Sequence, residues 1–385
     1  MKRVAFFTNF IPPYRVPVLM ALSHRLERLE IYLSTAMETG RDWKAEWGDL
    51  KVRVQKSVSV NRPWKHPHGF SEDITIHFPY DTLTTLFRYR PTTVISAEMG
   101  ARSLQAALFC VLRPKTRLII WATLSEYTER GRGKVREKLR RWILNHSDAV
   151  IVNGESGARY IQSLGFPKDR IFRAQQSTDL SHFLELPFKA PEKGKLKLLY
   201  SGRLIELKGL VPFLETLVAY SHKNPDLQIE VCFAGDGPLR EKLAELPMPQ
   251  NVSRKFLGHF AYDKLPELYG FCDALILPTL SDEWGLVVVE ALAAGLPVLG
   301  SIYSQAVEEL IQDDLNGWKF NIHEPASVMK ALQHLQTKVC DSTPQALQAL
   351  KTSCRESVRM MTSEWVADKL MNAIEFVEEH PRKSD

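Results

Sequence analysis

The chain has 385 residues and a formal net charge of +5, with 44% hydrophobic and 25% charged residues. This length favours two domains, and the composition is that of an ordinary globular protein, which excludes the disordered and collagen-like classes. No apolar run approaches the roughly 20 residues that a helix needs to span a bilayer, so no membrane-spanning helix is predicted.

The amino terminus and the cysteines indicate the compartment. The opening MKRVAFFTNFIPPYR is basic at its start, but Thr8, Asn9, Pro12, Pro13 and Arg15 interrupt its apolar run too early for a signal peptide. The five cysteines include no C-x-x-C pair, which argues against a disulfide framework and against a zinc site. We therefore expect a cytoplasmic protein.

Short apolar runs alternate with helical patterns along the chain. This alternation is typical of parallel sheets covered by helices on both faces. We predict an α/β fold with two doubly wound, Rossmann-like domains facing across a cleft, and ligands at the carboxyl ends of the strands. The predicted strands are 4–10, 30–35, 92–98, 117–123, 149–154, 197–203, 228–235, 274–279 and 296–301.

The segment 185–197, ELPFKAPEKGKLK, is rich in proline, lysine and glycine and is predicted to be a linker. It divides the chain into an N-terminal domain, 1–187, and a C-terminal domain, 188–362. The last helical pattern is amphipathic, so residues 363–385 are expected to cross back and complete the first domain.

Charge is unevenly distributed. Residues 1–190 carry 30 Lys and Arg against 18 Asp and Glu, whereas the remainder carries 20 against 27. In the densest basic stretch, 130–141, helical spacing would align two rows of cations: Lys134, Lys138 and Arg141, and Arg136 and Arg140.

The basic stretch is interpreted either as a solvated face or as a surface for an anionic partner. That partner would be an anionic acceptor or the anionic inner membrane surface, where each basic residue contributes about 1 kcal/mol. Nucleic acid is not expected, because no recognition module accompanies the charge.

Three strand exits in the second half carry unusual residues. The first, YSGRLIELKGL, places Arg203 and Lys208 after Gly202. Two cations near one strand end suit a diphosphate, with surface salt bridges to acids such as Glu206 as the alternative.

The second exit, FAGDGPLR, has Gly235 and Gly237 before a helix that opens with Pro238. Glycines at such a turn permit close backbone approach to a ligand, although many strand-to-helix turns share this pattern.

The third exit is SDEWGLVVVEALAAGLPVLG. Asp282 and Glu283 precede a helix that is apolar except for Glu290. A buried carboxylate needs a partner, which would be ribose hydroxyls of a ligand or a cation on a neighbouring helix. The amides that begin this helix would favour a phosphate: Gly285, Leu286 and Val287.

In order, these motifs resemble those of the retaining GT-B glycosyltransferases of family 4, the glycosyl transferases group 1, including enzymes of bacterial polysaccharide synthesis. That family carries S-G-R-L-x-x-x-K-G, a G-x-G-P turn, and E-x-x-G-L-x-x-x-E-A-x-A-x-G-x-P-V. The chain has SGRLIELKG, GDGP and DEWGLVVVEALAAGLPV. The resemblance covers the second domain and implies the GT-B architecture.

The resemblance implies individual roles. Arg203 and Lys208 would neutralise the leaving diphosphate, and Glu290 would hold the ribose. The acid that contacts the donor sugar falls on Asp282, where the family usually has Glu, so Glu283 is a candidate for sharing this role. The turn that would border the base contains Leu257, Gly258 and His259.

The first domain departs from the family pattern. NFIPPYRVPVL stands where many members have a Gly-Gly phosphate loop, which leaves Pro13 and Arg15 as candidates there. LIIWATLSEY lacks the family's histidine, so Ser125 or Glu126 would replace it, and Glu98 is a further acceptor-side candidate.

No cofactor is expected, and the family needs no divalent metal. The positive charge at the leaving group would come from Arg203, Lys208 and the helix start. His66 and His68 are interpreted as ordinary surface histidines, not as metal ligands.

The implied activity is retaining transfer of a sugar from a UDP-sugar or GDP-sugar to an acceptor hydroxyl. The basic first domain favours a lipid-linked glycan, a lipopolysaccharide core or a capsule-type polysaccharide precursor as acceptor, with peripheral binding to the membrane. Small metabolites are an alternative acceptor class. Two other functions stay open: a non-catalytic glycan- or membrane-binding GT-B protein, and a nucleotide-sugar epimerase.

Overall fold

The structure is a computed structural model that describes residues 2–38, 46–66, 69–260 and 264–381, apart from the side chains of residues 72 and 73. It contains two compact units. Unit 1 runs to Asp179 and resumes at Met361, and unit 2 is Leu180–Met360. Each boundary lies a short way before the position predicted from the sequence.

Strands and helices alternate along most of the chain. The strands are β1 (Arg3–Thr8), β2 (Arg28–Leu33), β3 (Val52–Val54), β4 (Ser57–Lys65), β5 (Ser71–Pro79), β6 (Thr93–Ala97), β7 (Arg117–Ala122), β8 (Ala149–Val152), β9 (Ile171–Arg173), β10 (Lys195–Ser201), β11 (Gln228–Ala234), β12 (Val252–Gly258), β13 (Ala274–Leu277), β14 (Val298–Ser301) and β15 (Gly317–Phe320).

The helices are α1 (Val16–Arg25), α2 (Thr82–Tyr89), α3 (Ala101–Leu112), α4 (Lys134–Asn145), α5 (Glu155–Ser163), α6 (Ser181–Leu184), α7 (Leu210–Lys223), α8 (Arg240–Glu245), α9 (Leu265–Phe271), α10 (Leu286–Ala294), α11 (Gln305–Leu310), α12 (Pro325–Leu335), α13 (Pro344–Val358) and α14 (Ser363–Glu379). Within the described ranges, no helix combines the length and apolar composition needed to cross a bilayer.

Unit 1 is built on a parallel seven-stranded sheet in the order β3-β2-β1-β6-β7-β8-β9. Alternate residues of its buried strands face opposite layers, as Phe6 and Phe7 do. Helices α1 and α14 cover the side of Phe6, and α2 to α5 cover the side of Phe7. Helix α14 therefore packs against the N-terminal sheet.

An antiparallel hairpin, β4 and β5, forms a separate two-stranded sheet after β3. Most of β4 is exposed. The hairpin was not predicted from the sequence, because its strands lack the continuous apolar runs of the buried sheet.

Unit 2 is built on a parallel six-stranded sheet in the order β12-β11-β10-β13-β14-β15. Its central helix α10 packs against α6, α9, α11 and α13, which explains why the helix is apolar on every side.

All nine predicted strands are present, and the sheets are parallel as expected. The segment 185–197 is not a free linker, however. The Phe188 ring lies 3.9 Å from the Arg355 guanidinium, and Lys195 already begins β10. This segment is thus part of unit 2.

Candidate active site

Backbone hydrogen bonds join three strand exits of unit 2. Gly202 N donates to Ala234 O at 2.9 Å, and Gly235 N donates to Gly258 O at 2.7 Å. A Cβ on Gly235 would lie 2.0 Å from Gly202 O. A neighbouring loop therefore requires this glycine, whereas the sequence analysis attributed it to the approach of a ligand.

Gly237 follows the same rule. A Cβ at this position would lie 2.5 Å from Leu204 O, and Leu204 N donates to Asp236 O at 2.9 Å. The G-x-G turn thus interlocks with the SGR loop, and the interlock fixes where Arg203 leaves the backbone.

The exits of β10 and β13 are held together in the same way. Leu280 N donates to Leu207 O at 2.9 Å, and Thr279 Oγ1 donates to the same oxygen at 3.2 Å. The adjacent Lys208 Nζ then lies 2.5 Å from Asp282 Oδ2. A cation and an acid from two separate sequence motifs therefore meet in a partly exposed ion pair.

The alternative of salt bridges to acids holds for Lys208, but its partner is Asp282 and not Glu206. Glu206 Oε1 instead lies 3.2 Å from Lys242 Nζ. Among the described residues, the exposed side chain of Arg203 forms no ion pair. The backbone oxygen of Arg203 accepts a hydrogen bond from Tyr200 OH at 2.7 Å. A guanidinium is thus left available at the exit of β10.

Glu290 is 3% exposed and sits in the middle of α10. Tyr269 OH donates to Glu290 Oε2 at 2.7 Å, so the partner of this carboxyl is a phenol and not a cation of a neighbouring helix. Burial raises the pKa of Glu290 to about 7, and the Tyr269 hydrogen bond opposes that rise. Glu290 therefore titrates near neutral pH.

The loop before α10 is held by two side chains at the start of α11, Ser304 and Gln305. Ser304 Oγ donates to Trp284 O at 2.6 Å, and Gln305 Nε2 donates to Glu283 O at 2.5 Å. Gly285 has φ of 103°, and a Cβ there would lie 2.7 Å from Ser304 Oγ. Gly285 thus adopts the left-handed backbone conformation from which α10 begins. The amides of the first turn have no acceptor within the helix, as is general for α-helices.

The two acids of this loop have different surroundings. The Asp282 carboxylate contacts Lys208, and its Oδ1 accepts from Trp284 N at 3.4 Å. Glu283 is exposed. Asp282 is therefore the acid that lies beside the basic exit of β10, while Leu286 and Val287 occupy the first turn of α10.

The predicted base turn lies at the end of β12. Leu257 and Gly258 are half-buried and His259 is exposed. Gly258 has φ of 72°, and among the described residues no atom lies within 4 Å of a Cβ built on it. Unlike Gly235, this glycine is therefore not required by a contact with another described loop.

In unit 1, Pro13 and Arg15 form a short 3-10 segment after β1. The Arg15 guanidinium lies 4.9 Å from the centre of the Trp121 ring, which holds this cation near the ends of β1 and β7. Glu98, with φ of 63°, accepts a 2.5 Å hydrogen bond from Thr123 Oγ1.

Ser125 and Glu126 are engaged within unit 1. Ser125 is fully buried, and its Oγ accepts from Thr128 N at 3.1 Å. Glu126 Oε1 lies 2.7 Å from Arg159 Nη2. The Ser125 hydroxyl thus lies inside the turn, and the role of Ser125 or Glu126 in place of the missing histidine stays a prediction.

Sequence reasoning missed a buried polar cluster around Arg102 of α3. This side chain is 5% exposed and donates to Asn9 Oδ1 at 2.8 Å, Ser34 Oγ at 2.6 Å and Ala97 O at 2.7 Å. Burial lowers its pKa to about 10. The cluster ties the exits of β1, β2 and β6, and the only sequence signal was an arginine one turn after a strand.

The basic stretch of α4 does not form two solvent-facing rows. Arg140 is 1% exposed and pairs with Glu129, and its Nη1 donates to Tyr160 OH at 2.6 Å. Arg136 lies 3.6 Å from the same Glu129, and Arg141 pairs at 2.9 Å with an acid one turn earlier. The exposed cations of the stretch are Arg130, Lys134 and Lys138.

Within the described ranges, no group of three or more His, Cys, Asp or Glu side chains is arranged to hold a metal ion. The prediction that His66 is a surface residue is wrong. It is 6% exposed, and its ring stacks on Phe70 at 4.5 Å between centroids. His68 lies outside the described residues.

Comparison with known proteins finds a family similarity in the larger part of unit 2. Residues 184–339 match the sequence model of the family described as Glycosyl transferases group 1. Unit 2 is similar to this family. Sulfoquinovosyl transferase SQD2 of Arabidopsis thaliana is 31% identical over 150 residues, which are 39% of this chain and 28% of that protein. The chain spans half or less of the length of the curated relatives it matches.

Several solved structures match almost the whole chain, two of them with a TM-score of 0.71. The apo form of lipopolysaccharide outer core galactosyltransferase WaaB has a TM-score of 0.71 at 15% identity and covers 97% of this chain and 99% of that one. Anabaena Alr3699/HepE in complex with UDP has a TM-score of 0.71 at 16% identity and covers 97% and 100%. The predicted α/β fold of two Rossmann-like domains is confirmed, and its structural neighbours are GT-B glycosyltransferases.

Proposed function

We propose that the chain is a retaining, metal-independent glycosyltransferase of the family 4 type that takes its sugar from a UDP-sugar or a GDP-sugar. The observation that carries this proposal is the convergence of Arg203, the Lys208–Asp282 pair and the start of α10 at the strand exits of unit 2. The match to the group 1 family over residues 184–339 supports it.

The leaving diphosphate would be stabilised by Arg203, Lys208 and the first amides of α10. Lys208 is neutralised by Asp282 in the free protein, at 2.5 Å. A bound diphosphate would draw Lys208 away and free the Asp282 carboxylate for a hydroxyl of the donor sugar. Positive charge placed in advance of reaction lowers the barrier, because the anomeric C–O bond breaks toward the diphosphate.

The balance of the reaction needs no other reagent. The anomeric carbon loses its bond to the diphosphate oxygen and forms a bond to the acceptor oxygen on the same face. The acceptor proton passes to the departing diphosphate. Glu290 would accept from the ribose hydroxyls of the donor through the carboxyl oxygen that Tyr269 leaves free.

The proposed acceptor is a hydroxyl of a lipid-linked glycan or an envelope polysaccharide precursor at an anionic membrane surface. The excess of basic residues in the first half of the chain supports this choice. The WaaB neighbour is named as a lipopolysaccharide outer core galactosyltransferase, which agrees with an acceptor of this class.

Binding of UDP and of GDP to the wild type and to Glu290→Gln, measured by calorimetry in the presence of a chelator, tests this proposal. We expect one nucleotide to bind and the variant to lose roughly tenfold or more in affinity at about pH 8, where the Glu290 carboxyl is ionised and acceptor-only and the amide is not. Glu206→Gln is the matched control, since Glu206 pairs with Lys242 and not with Lys208.

Equal affinity of Glu290→Gln and the wild type would contradict the assignment of Glu290. Failure of both nucleotides to bind would favour the non-catalytic alternative.

A further inference from the structure

Helix α3 carries large apolar side chains on its outer face. Leu108, Val111 and Leu112 are 42%, 49% and 56% exposed, and Leu104 lies one turn before them at 36%. Their spacing of i, i+4, i+7 and i+8 places them on one side of the helix. The opposite side packs into the core of unit 1 through Ala106 and Phe109.

Helix α4 neighbours α3 and also carries exposed apolar side chains. Val135 is 84% exposed and Trp142 is 37% exposed, and Lys138 lies between them at helical spacing on the same face. Lys134 is exposed beside Val135. We call these side chains the α3–α4 face.

A surface helix normally turns its apolar stripe to the core and its charges to water. Single exposed apolar residues are common, but six on two adjacent helices are not expected unless a partner covers them. The lysines on the same face select the kind of partner. Arg140 is buried against Glu129, and Arg136 and Arg141 are partly exposed but ion-paired. Among the described residues of α4, Lys134 and Lys138 are the exposed cations without such a pair.

We propose that the α3–α4 face docks on the surface of an anionic lipid bilayer. Its apolar side chains would enter the boundary between headgroups and acyl chains, and Lys134 and Lys138 would remain at the lipid phosphates. This combination of an apolar stripe and flanking cations is that of interfacial membrane helices. Trp142 has the amphipathic ring that favours the interface.

A second copy of the chain is a poorer occupant. In a twofold contact the face would meet itself, and Lys134 and Lys138 would be brought toward their own equivalents across the interface. An anionic lipid surface compensates this charge instead.

The inference deepens the proposed function, because a membrane-bound enzyme would meet a lipid-linked acceptor where it is held. It differs from the sequence-based expectation in its residues. Most of the binding is assigned to the apolar side chains of α3, and Arg136 and Arg140 are excluded because Glu129 holds them.

The test measures binding to vesicles of phosphatidylglycerol and phosphatidylcholine in equal amounts, by flotation. The variant Leu108→Ser/Val111→Ser/Leu112→Ser should lose roughly tenfold or more in partitioning, and Lys134→Ser/Lys138→Ser about tenfold. The matched control replaces three exposed apolar side chains of unit 2, as Phe271→Ser/Leu315→Ser/Met360→Ser. Binding of UDP and GDP to each variant reports whether unit 2 is intact.

Loss of vesicle binding in both α3–α4 variants, with the unit 2 control and the melting temperature unchanged, supports the proposal. Equal loss in the unit 2 control, or no binding by the wild type, overturns it. A dimer that the α3 variant converts to monomers would also overturn it, because the face would then be an interface between copies. Vesicle binding without nucleotide binding would leave the surface assignment standing and contradict the proposed reaction alone.

Discussion

Replacing Glu290 by Gln should change how the stability of unit 2 depends on pH. Burial raises the pKa of Glu290 from the ordinary 4.5 to about 7 in the folded chain. Between these two values the unfolded chain has lost the proton while the folded chain keeps it. The folded state binds more protons, so the free energy of unfolding falls as pH rises.

The size of this effect follows from the shift in pKa. Each pKa unit corresponds to 1.36 kcal/mol, so a pKa raised from 4.5 to about 7 lowers the free energy of unfolding by about 3 kcal/mol at alkaline pH. The stability contributed by the protonated carboxyl is complete below about pH 4.5 and is lost as pH rises through about 7. The amide side chain of the variant cannot ionise, and the variant should therefore escape this loss.

The assay is urea denaturation of the wild type and Glu290→Gln at about pH 5 and about pH 8. The unfolding transition of unit 2 is identified as the one that added nucleotide moves to higher urea. The difference in unfolding free energy between the two proteins should move by about 2.5 kcal/mol in favour of the variant at the higher pH, because part of the full effect is already lost at about pH 5. Other titrating groups are common to both proteins and cancel. Parallel pH dependences in the two proteins would refute the reasoning.

Three further predictions concern the contacts that shape the two units. Tyr269→Phe removes the hydrogen bond that holds the pKa of Glu290 down, so this pKa should rise further and nucleotide affinity at neutral pH should fall, recovering at higher pH; calorimetry across pH checks this, and an unchanged profile would exclude the coupling. Gly235→Ala should cost at least about 3 kcal/mol of stability because its Cβ would overlap Gly202 O, whereas Gly258→Ala, with open space, should cost only about 1–2 kcal/mol for its backbone conformation; similar melting temperatures for the two would argue against the interlocked loops. Arg140→Ala should cost about 3–5 kcal/mol because it leaves Glu129 buried without its main partner, and Lys138→Ala should lie within about 0.5 kcal/mol of the wild type; equal unfolding midpoints would contradict the buried pair.

The sequence predicts most of the buried parallel strands because each is a short and largely apolar run, but it misses the buried strand β15. It fails for β4, which is largely exposed, for its hairpin partner β5, and for the edge strand β12, which is only partly buried. These strands depend on pairing with a neighbour, and single-sequence patterns do not report that pairing.

For the site, the sequence identifies the residues that converge but not their partners. The Lys208–Asp282 pair joins positions 74 residues apart, and the Tyr269–Glu290 hydrogen bond joins α9 to α10. The burial of Arg102 and Arg140 could not be expected either, because arginine is mostly exposed and only a local acceptor set makes its burial tolerable. Glycine spacing predicts left-handed turns, but the close contact at Gly235 is with backbone.

The most direct test of the account is donor cleavage in the absence of added metal, monitored by NMR on UDP-sugars and GDP-sugars. The wild type should release UDP or GDP slowly from one donor by transfer to water, and Lys208→Ala should be at least about tenfold slower while Lys242→Ala is unaffected. Release of no nucleotide from any donor, or conversion of a donor into a different intact sugar nucleotide, would contradict the proposal of a glycosyltransferase.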